Sequence, residues 1–156
     1  MLDYIIATSQ NEYEAATKLF REYANWLGID LCFQHFDEEL ASLSTMYHPS
    51  VGGIVLCRHQ SNYIACVGVR KITTEIAELK RMWVQLPFHQ QGIGQALLDK
   101  ALAIARQGNY SSIRLDTLRH MHPAIGLYLK NGFYEIPAYY ANPEKEVVYF
   151  EKLLNA

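Results

Sequence analysis

The stretch PFHQQGIGQALLDK (87–100) sets two glycines, Gly92 and Gly94, between an apolar run and a helix-like pattern. A helix N-terminus presents about four unpaired N–H groups and a partial positive charge, which together bind phosphate. Glycines there let a ligand approach the backbone with no side chain in the way. The same arrangement also serves simply to pack a strand against a helix. Two familiar phosphate loops fail on detail. The nucleoside-triphosphate loop ends in Gly-Lys-Ser/Thr, whereas Gln95 and Ala96 follow Gly94. The dinucleotide fingerprint needs a small residue three positions after its second glycine, where Leu97 stands. Other reactive types are sparse. His120 and His122 have no Cys or carboxylate beside them at a recurring zinc spacing, so no metal is expected. Cys32, Cys57 and Cys66 are odd in number and widely spaced, which reads as reduced thiols.

The loop needs a strand before it and a helix after it, and the pattern supplies both. DYIIAT (3–8) reads as a first strand, followed by a helix capped by Ser9 with Glu12 as its capping-box partner. In that helix Tyr13, Ala16, Phe20, Tyr23 and Leu27 recur at helical spacing, and Gly28 suits the stop. FDEELASL is expected to be a short second helix capped by Asp37. GGIVLCRH and YIACVGVRKI flank QSN as a hairpin, with EIAELKRMWVQ as the next strand. The helix from Gly92 carries Ile93, Leu97, Ala101 and Ile104 on one face and stops near Gly108. SIRLDT is a strand, and PAIGLYLKNG a helix with Pro in its first turn and Gly132 past its end. Two late strands, 133–140 and 146–153, follow. With 156 residues and no repeat or linker, a single α/β (α+β) domain over 1–156 is expected.

Composition bounds the partners. Half the residues are hydrophobic and 19% charged, a globular balance. A net charge of −2 carries no polyanion-binding signature, so nucleic acid is not expected. No apolar stretch approaches the ~20 residues of a membrane span, and no leader pattern opens the chain, so a cytoplasmic protein without a membrane partner is expected.

His89 to Gly94, and Ala124 to Phe133 some thirty residues on, resemble the paired signatures of the GNAT superfamily of acyl-CoA N-acyltransferases. The order of elements is similar as well, so the resemblance spans nearly the whole chain. It implies a central mixed, mostly antiparallel sheet, splayed into a V at the cofactor cleft and flanked by about four helices. Acetyl-CoA or coenzyme A is the implied co-substrate. Its pyrophosphate would lie on the amides of Gln90, Gln91, Gly92, Ile93, Gly94 and Gln95. Its pantetheine arm would pair with Met82, Trp83 and Val84, and an N–H near Val84 would polarise the thioester carbonyl. The chain departs from the family pattern at His89, where arginine or glutamine is usual, and at Met121, where many members carry asparagine.

Acyl transfer to an amine needs an oxyanion donor, a neutral amine and a proton for the leaving thiolate. The resemblance makes Tyr128 the candidate acid and Glu78 the candidate base, with Asp116 or water as other bases. Asp116 could instead bind the substrate's ammonium group. Trp26, Phe33, His35, Tyr47, Tyr139 and Tyr140 fall in segments that border the acceptor cleft in this family and would suit an apolar or cationic amine. The resemblance implies a small-molecule or protein amine as acceptor, and a homodimer, since family members are often dimers. A non-catalytic acyl-CoA-binding module of the same fold is the alternative reading.

Overall fold

The computed structural model describes residues 1–28 and 35–154. In chain order the elements are β1 (Leu2–Ile6), α1 (Gln10–Leu27), α2 (Phe36–Ala41), α3 (Leu43–Met46), β2 (Gly53–His59), β3 (Asn62–Lys71) and β4 (Ile76–Val84). A 3-10 turn (Leu86–Phe88) leads to α4 (Ile93–Gln107), β5 (Ser112–Leu118), α5 (His122–Lys130), β6 (Tyr134–Ile136) and β7 (Val147–Leu153). One seven-stranded sheet runs β1-β2-β3-β4-β5-β7-β6. Among these pairs β4–β5 is parallel and the rest are antiparallel.

Alternation along the strands divides the core in two. Val55 and Cys57 of β2 join the cluster under α4, with Ile93, Leu97, Leu98 and Ala101. Ile54 and Leu56 face the other way and pack with Ala16, Leu19 and Phe20 of α1. Helices α4 and α5 therefore cover one face and α1 to α3 the other.

Several local signals act as expected. Glu12 N–H donates to Ser9 Oγ at 3.2 Å and Ser9 N–H to Glu12 Oε1 at 3.0 Å, a reciprocal capping box. Gly28 ends α1 in the left-handed region, φ 73°. Three expectations need correction. Asp37 does not cap α2; His35 is the N-cap residue, with no side-chain cap, and Asp37 lies in the first turn. The expected single helix is divided at Ser42, whose hydroxyl donates to the Glu38 carbonyl at 2.7 Å, so the described residues form five helices, in keeping with the about four expected to flank the sheet. The strand expected over 133–140 pairs only as far as Ile136, opposite Tyr149. Pro137 then removes a backbone donor, and the chain turns inward so that Tyr139 and Tyr140 reach the sheet.

Candidate functional site

Strands β4 and β5 pair only at Ile76↔Ser112, Ala77↔Ile113 and Glu78↔Arg114. Beyond Glu78, β4 stays with β3 and β5 stays with β7, so their facing edges part. A bulge adds to the divergence: three steps of β4, from Lys80 to Trp83, oppose two of β3, from Gly68 to Cys66. Arg81 sits in it at φ 58°. The opening is a cleft of about 670 Å³.

The cleft brings together residues scattered through the sequence. Met82, Trp83, Val84, His89, Gln90, Gly92, Ile93, Gly94 and Gln95 line it, as do Trp26, Glu78, Asp116 and Tyr128. Gln91 is not in the lining. Tyr139 and Tyr140 reach it through their hydrogen bonds to Glu78 and Asp116. Of the other aromatics, Tyr47 is fully buried in the α1-side core, donating to Glu39 at 2.8 Å, and does not border the cleft. His35 is exposed beside Glu38. Phe33 lies outside the described residues, as does Cys32.

At one end stands the start of α4. Its N-cap residue is Gly92, φ 80°, with no side-chain cap and no acidic residue in the first turn. The first intrahelical bond is from Ala96 N–H to the Gly92 carbonyl at 3.1 Å, so the amides of Ile93, Gly94 and Gln95 precede it and make no intrahelical bond. The contrast with α1, whose first turn is closed by Ser9 and Glu12, is direct. A Cβ at Gly92 would meet nothing within 4 Å, so its glycine serves the positive φ and not tight packing.

In the middle stands the end of β4. Gln85 N–H bonds the Ile64 carbonyl at 2.9 Å, and Val84 faces Ala65. Bonded and non-bonded pairs alternate in an antiparallel ladder. Val84 therefore turns its N–H and carbonyl away from β3, to the side that β5 has left. Its carbonyl accepts from His89 Nε2 at 2.6 Å. A carbonyl only accepts, so Nε2 carries a proton and is committed to this bond.

Tyr128 is 5% exposed, packed on Phe133 and Phe150. Its hydroxyl has no protein hydrogen-bond partner among the described residues. Burial, with Tyr23 and Asp116 adding to it, pushes its ionisation above that of an ordinary phenol. It stays a proton donor throughout the neutral range.

Charged groups line the wall where the strands part. Glu78, 2% exposed, accepts from Arg70 Nε at 2.7 Å and from the Tyr139 hydroxyl at 2.6 Å, with Lys80 Nζ at 3.9 Å. Asp116 accepts from the Tyr140 hydroxyl, and burial raises its carboxyl above the ordinary range despite that bond. Burial lowers the Lys80 ammonium, and the charge of Arg81 lowers it further. Arg81 forms a two-pronged pair with Glu39, at 3.2 Å and 2.8 Å. The sequence reading missed Arg70, Lys80, Arg81, Glu39 and Tyr23. The Arg70–Glu78 pair alone left a signal, because the two residues face each other across the β3–β4 hairpin.

Among the described residues no group of three His, Cys, Asp or Glu could hold a metal ion, and no helix is long and apolar enough to cross a membrane.

The model of the acetyltransferase (GNAT) family matches residues 10–133. An uncharacterised N-acetyltransferase of Schizosaccharomyces pombe is 34% identical over 84% of this chain and 82% of its own. A GNAT-family acetyltransferase structure from Staphylococcus aureus superposes with TM-score 0.81, covering 99% of this chain and all of that one, at 22% identity. The PaiA N-acetyltransferase of Thermoplasma acidophilum, solved in complex with coenzyme A, gives TM-score 0.72 over 98% of this chain and 99% of its own, at 18% identity.

Proposed function

The chain belongs to the GNAT family of acetyltransferases, and from that premise we propose that it transfers an acetyl group from acetyl-CoA to a primary amine of a small molecule or protein. One observation carries the reading. The uncapped amides of α4, the outward N–H of Val84 and the unpartnered hydroxyl of Tyr128 lie along a single cleft.

When bound, acetyl-CoA supplies the electrophilic thioester carbon and a thiolate leaving group. The amides of Gln90 to Gln95 would hold its pyrophosphate as the cap that α4 lacks. Main-chain groups of Met82 and Val84, on the edge that β5 has left, would hold the pantetheine arm beside Trp83. The Val84 N–H would donate to the carbonyl oxygen as charge develops there. Tyr128 would protonate the departing sulfur.

The two carboxylates divide the remaining work. Glu78 already accepts from Arg70 and Tyr139, so an incoming ammonium would have to share those oxygens. Asp116, with its carboxyl raised by burial, is the group we assign to receive the amine's proton, directly or through water. Trp26, Tyr139 and Tyr140 would border the acceptor.

Release of free thiol from acetyl-CoA, measured with polyamines, amino acids, aminoglycosides and peptides, tests the reading. Amine-dependent release supports it. Tight coenzyme A binding with no release across the panel would favour a non-catalytic acyl-CoA-binding module.

The cofactor end has its own test. A Cβ at Gly94 would meet only Leu127 Cδ2, at 3.6 Å, an ordinary contact. Gly94→Val should therefore fold normally, while its branched side chain obstructs the pyrophosphate and weakens coenzyme A binding by about 1 kcal/mol or more. Calorimetry showing wild-type affinity in the folded variant would remove the pyrophosphate from this loop.

A further inference from the structure

We propose that Glu22 is a positioning residue that holds the Val84 N–H in line for the acyl carbonyl. The inference rests on the acetyl-CoA reading of the cleft. Glu22 belongs to α1 and is not among the residues that line the cleft. Its Oε1 accepts from Trp83 Nε1 at 3.1 Å and from Gln85 Nε2 at 3.0 Å, and Gln85 Nε2 makes a longer bond to Oε2 at 3.4 Å. Trp83 and Gln85 are the two neighbours of Val84. Side chains two apart on an extended chain point the same way, so one carboxylate grips both.

The grip falls where the strand most needs it. The last residues of β4 have a ladder partner on the β3 side only, because β5 has parted from them. An N–H serves an oxyanion only when held within about 2.7–3.1 Å of the oxygen. The β3 side is held by Gln85 N–H to the Ile64 carbonyl, and two further attachments stand in for the missing strand: His89 Nε2 to the Val84 carbonyl, and Glu22 to both flanking side chains. The Trp83 ring is further fixed against Trp26 at 5.2 Å and Tyr23 at 6.4 Å.

Two substitutions separate position from charge. Glu22→Ala releases both donors and should lower kcat by roughly ten- to hundredfold with the KM for acetyl-CoA nearly unchanged. Glu22→Gln keeps an amide oxygen able to accept from both Trp83 and Gln85, and should hold kcat within about threefold of wild type. The indole emission of Trp83, read in a Trp26→Phe background, should shift in Glu22→Ala and stay in Glu22→Gln. Normal turnover in Glu22→Ala overturns the proposal, and so does equal damage from both variants, which would mean that the charge acts on substrate directly.

Failure of the functional reading looks different. If wild-type protein binds acetyl-CoA but releases no thiol with any amine, catalysis is refuted. The clamp is then decided by the preference for acetyl-CoA over coenzyme A. That preference should narrow in Glu22→Ala and persist in Glu22→Gln; an unchanged preference in Glu22→Ala overturns the clamp. A wild-type protein that binds neither overturns both readings.

Discussion

Tyr128→Phe is expected to lower kcat by about 10²–10⁴-fold, the usual cost of losing a general acid, while the KM for acetyl-CoA stays nearly constant. The substitution is unusually clean here. The hydroxyl makes no hydrogen bond to the described protein, so its removal strands no partner. The ring keeps its contacts with Phe133 and Phe150, whose centroids lie 5.6 Å and 6.4 Å away. The melting temperature should therefore move little. The direction of the tyrosine's shift adds a second check. Burial raises its ionisation, so the phenol remains protonated well past neutrality, and wild-type kcat should show no alkaline decline from this group up to about pH 10. Turnover within a few-fold of wild type in the phenylalanine variant would transfer the proton-donor role to water or another side chain.

Arg81→Met should destabilise the protein by about 3–5 kcal/mol at neutral pH, the cost of leaving a buried charge without its partner. The stranded group is Glu39, 2% exposed, which otherwise accepts from Arg81 and Tyr47. For a chain of this size the loss corresponds to roughly 10 °C in Tm. Glu39→Leu combined with Arg81→Met should recover much of it, since an apolar pair of similar volume needs no charge partner. The pH dependence follows from the sign of the shift. Burial alone would raise the Glu39 carboxyl, but the hydrogen bonds and charge of Arg81 outweigh it and hold the group below its ordinary value. Wild-type stability from this pair is thus present above the unfolded value of about 4.3 and is lost as pH falls through the lower folded value. In Arg81→Met the unpaired carboxyl prefers its proton, so wild type and variant should converge as pH drops below about 4. Parallel denaturation curves at pH 7 and pH 4, equally far apart, would show that Glu39 does not depend on Arg81.

Much of this architecture was readable from local rules. Helix α1 declares itself through Ser9, Glu12 and an apolar face, and α4 through glycines that no packing demand explains. What stayed hidden depends on pairs far apart in the chain. Glu39 and Arg81 are separated by 42 residues, and Glu22 and Trp83 by 61. Each alone reads as a charge or an indole with no stated purpose, because a single sequence gives the residue and not its partner. Tyr139 and Tyr140 fitted a strand pattern by composition, yet Pro137 stops the ladder and the two rings turn in to the carboxylates of Glu78 and Asp116. The break at Ser42 was missed for a related reason: a helix-compatible run carries no mark that a serine hydroxyl will take the Glu38 carbonyl.

The short contact between β4 and β5 has a mechanical consequence. Ladder pairing across that boundary ends at Glu78↔Arg114, so a half-sheet of β1 to β4 meets a half-sheet of β5 to β7 along three residue pairs. Past that point no ladder joins the halves, which are held together instead by α4, packed on β3, β4 and β5. The boundary is the apex of a wedge whose two arms are braced from outside, by β3 and by β7. The strand edges that face each other across it do not pair past Glu78 and Arg114, so an extended guest entering there would find backbone partners without displacing a strand.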